Sequence, residues 1–400
     1  MSNHSRPFRP PLHVLAKPIG PLCNLDCDYC FYLKKQPLFP AGHNFRMSDE
    51  TLEIFIRRYI ESHDGPEVAF AWQGGEPTLC GAPFFAKAVA LQQRYANGRR
   101  ISNALQTNGT LLDDEWGAFL HEHRFLVGLS VDGPRHLHDR HRQDKHRQPT
   151  FDRVMRGLAV LQKHHVEVNA LTVVSSTNVS HPIDVYRFLR DAGFRHLQFI
   201  PLVERATVTG DDDSAAPARH AAVTAETVPA AAYGSFLNRI FDRWVHNDVG
   251  KIFVREFDTA LAAWLDQPSS LCVHATECGR SLALEHDGSA YACDHYVYPS
   301  DRLGHLRDTP LDALVSSPAQ VTFGRAKSTT LPRQCRACPV RFACNGGCPK
   351  HRFLATAAGE PGLNYLCAGY RAFFAHIDTD MGRMATLPQA HRPAADIMRH

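Results

Sequence analysis

Three thiols stand close together near the start of the chain. Residues 23–30 read CNLDCDYC, which places Cys23, Cys27 and Cys30 in Cys-x3-Cys-x2-Cys spacing. Thiolates at such spacing hold soft metals or iron–sulfur clusters. A structural zinc ion or a saturated four-iron cube takes four ligands, and the next cysteine is Cys80. A cube held by three thiolates leaves one iron open. An open iron binds a small molecule through nitrogen and oxygen.

The chain has 12 cysteines. Beyond residue 270 come Cys272, Cys278, Cys293, Cys335, Cys338, Cys344, Cys348 and Cys367. These suffice for two complete four-cysteine sites. Closed sites have no free iron for a substrate and suit electron transfer. Zinc is an alternative there, because Cys-x2-Cys serves both metals. Cys80 is left over and reads as a packed free thiol.

The surrounding pattern must position these groups. Strands are expected over 12–19, 68–73, 103–108, 125–132, 166–174 and 196–203. Helices are expected over 48–62, 82–96, 113–123, 151–164 and 181–193. This alternation predicts an α/β fold, a partial (β/α)6 barrel of parallel strands with helices outside. A cysteine-rich domain follows it. Expected boundaries are 1–250 for the barrel, with a mobile insertion at 205–232, then 251–381, and a disordered tail at 382–400. Ligand groups in such sheets gather at the C-terminal strand ends. Those ends read AWQGGEPT, QTNG, LSVDG and LVE after the second, third, fourth and sixth strands.

Composition narrows the class. The chain of 400 residues is 44% hydrophobic with net charge +3, enough for a large core and without a basic block for nucleic acid. The stretch RHLHDRHRQDKHR at 135–147 reads as a solvated loop. The N-terminus lacks an apolar signal region, and no run of about 18 apolar residues spans a membrane. A cytoplasmic protein is expected, with thiols kept reduced, so the clustered cysteines point to metal rather than disulfides.

The triplet, with Tyr29 before its last cysteine, resembles the signature of the radical S-adenosylmethionine enzymes. The resemblance implies that the open iron chelates S-adenosylmethionine. One electron then yields methionine and a 5′-deoxyadenosyl radical, which removes a hydrogen atom from an unactivated carbon. The segment Gly74-Gly75-Glu76-Pro-Thr looks like the family's motif for the cofactor's amino group. Ser130 and Val203 are placed as further cofactor contacts.

The later cysteines resemble a SPASM domain with two auxiliary 4Fe–4S clusters, three clusters in all. By that resemblance Cys272, Cys278, Cys293 and Cys348 hold one, and Cys335, Cys338, Cys344 and Cys367 the other. Across nearly the whole chain the pattern resembles the anaerobic sulfatase-maturating enzymes. They oxidise a Cys or Ser side chain of a sulfatase to Cα-formylglycine. This implies Asp294, next to Cys293, as the base, and Tyr32 and Gln73 in the substrate pocket. Expected partners are an unfolded or nascent sulfatase and a donor such as flavodoxin or ferredoxin. One alternative is a SPASM enzyme that crosslinks a ribosomal peptide. The first strand begins by residue 12, leaving no room for an N-terminal peptide-recognition domain, which favours sulfatase maturation. A second alternative is a non-enzymatic iron–sulfur carrier or zinc-scaffolded binding protein, for which the β–α scaffold and the Gly-Gly-Glu turn would be superfluous.

Overall fold

The computed structural model describes residues 12–206, 222–387 and 392–399. Each amphipathic segment folds as its periodicity dictates. Ser48 caps α1 (Asp49–Glu61) by accepting from the Thr51 amide, and Leu52, Phe55, Ile56, Tyr59 and Ile60 form its buried face. The other helices are α2 (Ala82–Tyr95), α3 (Asp114–Glu122), the short α4 (Arg135–His138), α5 (Phe151–Lys163), α6 (Pro182–Asp191) and α7 (Ala230–Asn247). The strands are β1 (His13–Lys17), β2 (Glu67–Trp72), β3 (Arg100–Thr107), β4 (Leu126–Ser130), β5 (Glu167–Val174) and β6 (His196–Pro201). The six expected strands are present and pair in parallel, in chain order.

The sheet then extends at both edges. On one side β7 (Phe253–Val254) runs parallel to β6 and leads into α8 (Arg255–Trp264). On the other side β8 (Ser281–Glu285) lies parallel to β1, with Glu285 opposite Lys17. The chain turns back through β9 (Ser289–Tyr291), which pairs antiparallel with β8, and β10 (Arg302–His305) forms the edge. The result is an open 10-stranded sheet.

A division at residue 250 therefore does not separate two bodies. The hairpin of the cysteine-rich part completes the first sheet. The helix Cys367–Thr386 crosses α7 at a pair of glycines. A Cβ on Gly369 would sit 2.1 Å from the Ala230 carbonyl oxygen, so only glycine permits this approach. Phe373, Phe374, Ile377 and Met381 of that helix join Phe236, Ile240 and Phe257 in one core.

Two of the expected segments are described only in part. Of the insertion expected at 205–232, residues 207–221 lie outside the described residues. Around them Arg205 bridges Val223, and Thr227 and Val228 are buried. The tail expected to fray from 382 is helical to Thr386. Further on, Ile397 is buried in the same core as α7, because its side chain finds apolar cover there. Residues 388–391 and 400 lie outside the described residues. Among the described residues no helix is long and apolar enough to cross a membrane.

Candidate active site

The cysteine loop leaves the C-terminal end of β1 and is tied down on two sides. On one side it meets the Gly-Gly-Glu turn after β2. The Gly75 amide donates to Gly20 O and the Glu76 amide to Leu22 O, both at 2.8 Å. A Cβ on Gly75 would stand 1.8 Å from Leu22 O. The glycine is thus required by the neighbouring loop backbone, whatever else it contacts. Glu76 is fully buried. Its carboxylate accepts from the Thr78 amide at 3.0 Å, the Thr78 hydroxyl at 2.6 Å, and the Thr107 hydroxyl and Asn108 amide at 2.7 Å. Burial pushes its carboxyl up, while these hydrogen bonds pull it back. Glu76 therefore locks the ends of β2 and β3 together. Replacing Gly75 by Ala should displace the loop and remove the iron bound by the triplet, leaving the C-terminal iron in place. Iron quantitation of the reconstituted variant checks this.

The other side is held by the stretch expected to be a solvated loop. Leu25 bridges Asp144, and the Asp26 amide donates to Gln143 O at 2.8 Å. His138, His141 and Arg142 are buried. Arg142 grips Asp132 with two hydrogen bonds, Nε at 2.9 Å and Nη2 at 3.2 Å, and the Tyr29 hydroxyl donates to the same carboxylate. Burial pushes the Asp132 carboxyl up, but Arg142 outweighs it and holds Asp132 ionised. Arg142 can be buried because its charge is internally paired, while Arg135, His136, Arg140 and residues 145–147 stay exposed. Asp132 was visible in the LSVDG strand end and Tyr29 in the triplet. Arg142 was not singled out, because the turn that returns it to Asp132, ten positions earlier, has no helical or strand period that pairs them.

The triplet thiols lie within electrostatic reach of one another. Burial pushes Cys23 up to about 12, and raises Cys27 and Cys30 as well. Asn108 Nδ2 donates to Cys23 Sγ at 3.8 Å, and the Leu25 amide donates to it at 3.3 Å. Buried thiols keep their protons until a metal takes their place.

The eight later cysteines sort into two groups by mutual influence. Cys272, Cys278, Cys293 and Cys348 act on one another. Cys335, Cys338, Cys344 and Cys367 form the other group and line one cavity. Among the described residues no three or more His, Cys, Asp or Glu side chains close round one point as a single metal ion requires. Cys80 is buried in the core and its thiol is pushed up to about 12 by burial.

The expected base and pocket residues converge beside the triplet. The β8–β9 hairpin brings Asp294 over the end of β1, where Lys17 Nζ forms an ion pair with it. Gln73 lies close enough to the same carboxylate to favour its charged form. Lys17 Nζ lies 4.5 Å from the Tyr32 ring centroid, and the Tyr32 hydroxyl donates to Glu285. Burial pushes the Asp294 carboxyl up, but Lys17 more than offsets this and keeps it below the usual range. Of the remaining expected contacts, Ser130 is buried at the end of β4, and Val203 packs into the apolar core after β6. Lys17 and Glu285 were not singled out in the sequence. Their one signal is position, each at the C-terminal end of a strand.

Comparison with known proteins gives this geometry its family. The Radical SAM superfamily model matches residues 18–199, and the iron-sulfur cluster-binding domain model, SPASM, matches 272–339. A serine-type anaerobic sulfatase-maturating enzyme of Bacteroides thetaiotaomicron is 44% identical over 396 residues, 98% of this chain and 96% of that protein. The chain belongs to the anaerobic sulfatase-maturating enzymes. A cysteine-type member from Clostridium perfringens (strain 13 / Type A) is 34% identical over 91% of this chain and 96% of its own length. The solved structure described as native anSMEcpe with bound AdoMet and Cp18Cys peptide superposes with a TM-score of 0.83. It is 33% identical and covers 94% of this chain and 99% of that one. The maturase frame thus spans both the parallel sheet and the cysteine-rich part. In this chain the buried Arg142–Asp132 and Lys17–Asp294 pairs lie within that frame.

Proposed function

We propose that this chain oxidises a Ser or Cys side chain of a sulfatase to Cα-formylglycine, with Asp294 taking the heteroatom proton. The convergence of Asp294, Gln73, Tyr32 and Lys17 beside the cysteine triplet carries the reading. The donor set suits the cofactors. Cys23, Cys27 and Cys30 would hold a 4Fe–4S cluster with one open iron. The two quartets would each hold a closed one. When bound, these groups and S-adenosylmethionine supply hydrogen-atom abstraction and electron transfer. Everything else falls to the chain. Gly74 and Gly75 keep the turn close to the loop, Gln73 orients the base, and Lys17 keeps it ionised. Asp294 must lie within hydrogen-bond reach of the substrate heteroatom to receive its proton.

The substrate is a sulfatase segment in unfolded or nascent form, since a folded one would not enter a site between sheet and cysteine-rich part. Three serine-type relatives share 44%, 41% and 41% identity with this chain, against 34% for a cysteine-type one. This supports a serine-type substrate. The reading includes a cytoplasmic setting, a flavodoxin or ferredoxin as reductant, and neither nucleic acid nor membrane as partner.

The test is anaerobic. Protein reconstituted with iron and sulfide, then reduced, is given S-adenosylmethionine and Ser- or Cys-containing sulfatase-motif peptides. The expected products are 5′-deoxyadenosine and an aldehyde peptide, with about twelve irons per chain. No deoxyadenosine would sink the reading. Deoxyadenosine with a crosslinked peptide and no aldehyde would replace it by peptide crosslinking.

A further inference from the structure

Beside the cysteine quartets lie two cations, Lys327 against one and Arg352 against both, that form no salt bridge among the described residues. Lys327 is fully buried. Its Nζ donates to Cys272 O at 2.6 Å and to Val273 O at 3.0 Å. Arg352 is half-buried. Its Nη1 donates to Lys327 O at 2.5 Å, its Nε to Gly346 O at 2.9 Å, and its Nη2 to Asn345 O at 2.9 Å and Gly347 O at 3.3 Å. Arg352 thereby fastens the turn between Cys344 and Cys348, one cysteine from each quartet. Every one of these acceptors is a neutral carbonyl. Among the groups acting on Lys327 are the thiols of Cys272, Cys278 and Cys348 and the Arg352 guanidinium. Among those acting on Arg352 are the thiols of Cys335, Cys278, Cys348 and Cys344. Among the described residues neither cation forms a salt bridge.

A buried cation without a counter-ion is costly. A guanidinium does not shed its proton in proteins. The cost is offset when the neighbouring thiols bind iron–sulfur clusters, because a four-thiolate 4Fe–4S cluster is anionic overall. Adding an electron makes such a cluster more negative, and a fixed nearby cation in a low-dielectric interior favours that state.

We propose that Lys327 and Arg352 set the reduction potentials of the two auxiliary clusters, Lys327 that of the Cys272 quartet and Arg352 those of both. This rests on the reading of the quartets as cluster sites. It gives the oxidation a sink. When the substrate alcohol becomes an aldehyde, one hydrogen atom, one proton and one electron leave it. The hydrogen atom goes to the cofactor-derived radical, the proton to Asp294, and the electron reduces an auxiliary cluster by one. Arg352 lets the charge be shared between the two sites.

The test uses the full chain with Cys23, Cys27 and Cys30 changed to Ala, so that only the C-terminal clusters load. Redox titration followed by electron paramagnetic resonance reads each midpoint. Lys327→Met should disfavour reduction of one cluster about tenfold, a fall of about 59 mV for a one-electron couple, and leave the other unmoved. Arg352→Gln should lower both. Lys327→Arg and Arg352→Lys keep the charge and should stay near the parent. Unshifted midpoints in iron-replete neutral variants would overturn the proposal, as would equal shifts in the charge-keeping ones. If a neutral variant loses iron, retention by its charge-keeping partner supports the proposal. Loss from both reduces the residue to scaffolding and overturns it. Should the parent itself hold far fewer than about eight C-terminal irons, the cluster reading beneath has failed instead.

Discussion

Asp294→Asn should abolish aldehyde formation while leaving the iron content intact. General-base contributions run about 10²–10⁴-fold, so the peptide-oxidation rate should fall by at least about a hundredfold. The substitution keeps the shape and a hydrogen-bonding oxygen, so Gln73 and the β8–β9 hairpin have no steric reason to move. It removes the partner of Lys17, which lies buried beneath it. Lys17 sits at the end of a central strand with Glu285 opposite in register, so its charge retains a neighbour. The expected signature is a separation of two readouts. S-adenosylmethionine cleavage should persist, since the cysteine triplet is held by other residues, while the aldehyde is lost. Full oxidation by the Asn variant would remove Asp294 from the base role.

Arg142→Leu should act in the opposite way, through stability and cofactor loading rather than chemistry. It leaves the Asp132 carboxylate buried with only the Tyr29 hydroxyl and backbone donors such as the Val173 amide at 3.0 Å. Removing one partner of a buried pair costs about 3–5 kcal/mol. Denaturant titration of the apoprotein should show a loss of that size. Because the same segment pins residues 25–28, the triplet should also lose its iron, while the C-terminal sites keep theirs. A variant of unchanged stability with full iron would show that the clamp is dispensable. Replacing both partners by apolar residues should restore part of the stability but not the anchoring of Tyr29.

What the sequence determined by itself was local. Thiol spacing marked Cys23, Cys27 and Cys30 as one candidate metal-binding set, because ligands of one site often sit within a few residues of each other; the grouping of the later cysteines came from the family resemblance. Apolar periodicity fixed the six β–α units, because a strand or helix buries one face at its own period. Strand-end segments marked Gln73, Glu76 and Asp132, since parallel sheets present ligands at their C-terminal ends. The stretch 135–147 is solvated only in part: Arg135, His136, Arg140 and 145–147 are exposed, while His138, His141 and Arg142 are buried against Asp132 and the cysteine loop, and composition alone does not tell these apart. Only the structure showed that Glu76 also joins the ends of β2 and β3 through its hydrogen bonds. Only the tertiary structure joined Lys17 to Asp294, 277 positions apart. That contact exists because β8, from the cysteine-rich part, adds to the free edge of β1, and hydrogen bonding between strand edges leaves no local trace in the sequence. The same holds for Lys327 and Arg352. Each looks like an ordinary surface cation in the sequence, and the fold brings the two groups of thiols beside them.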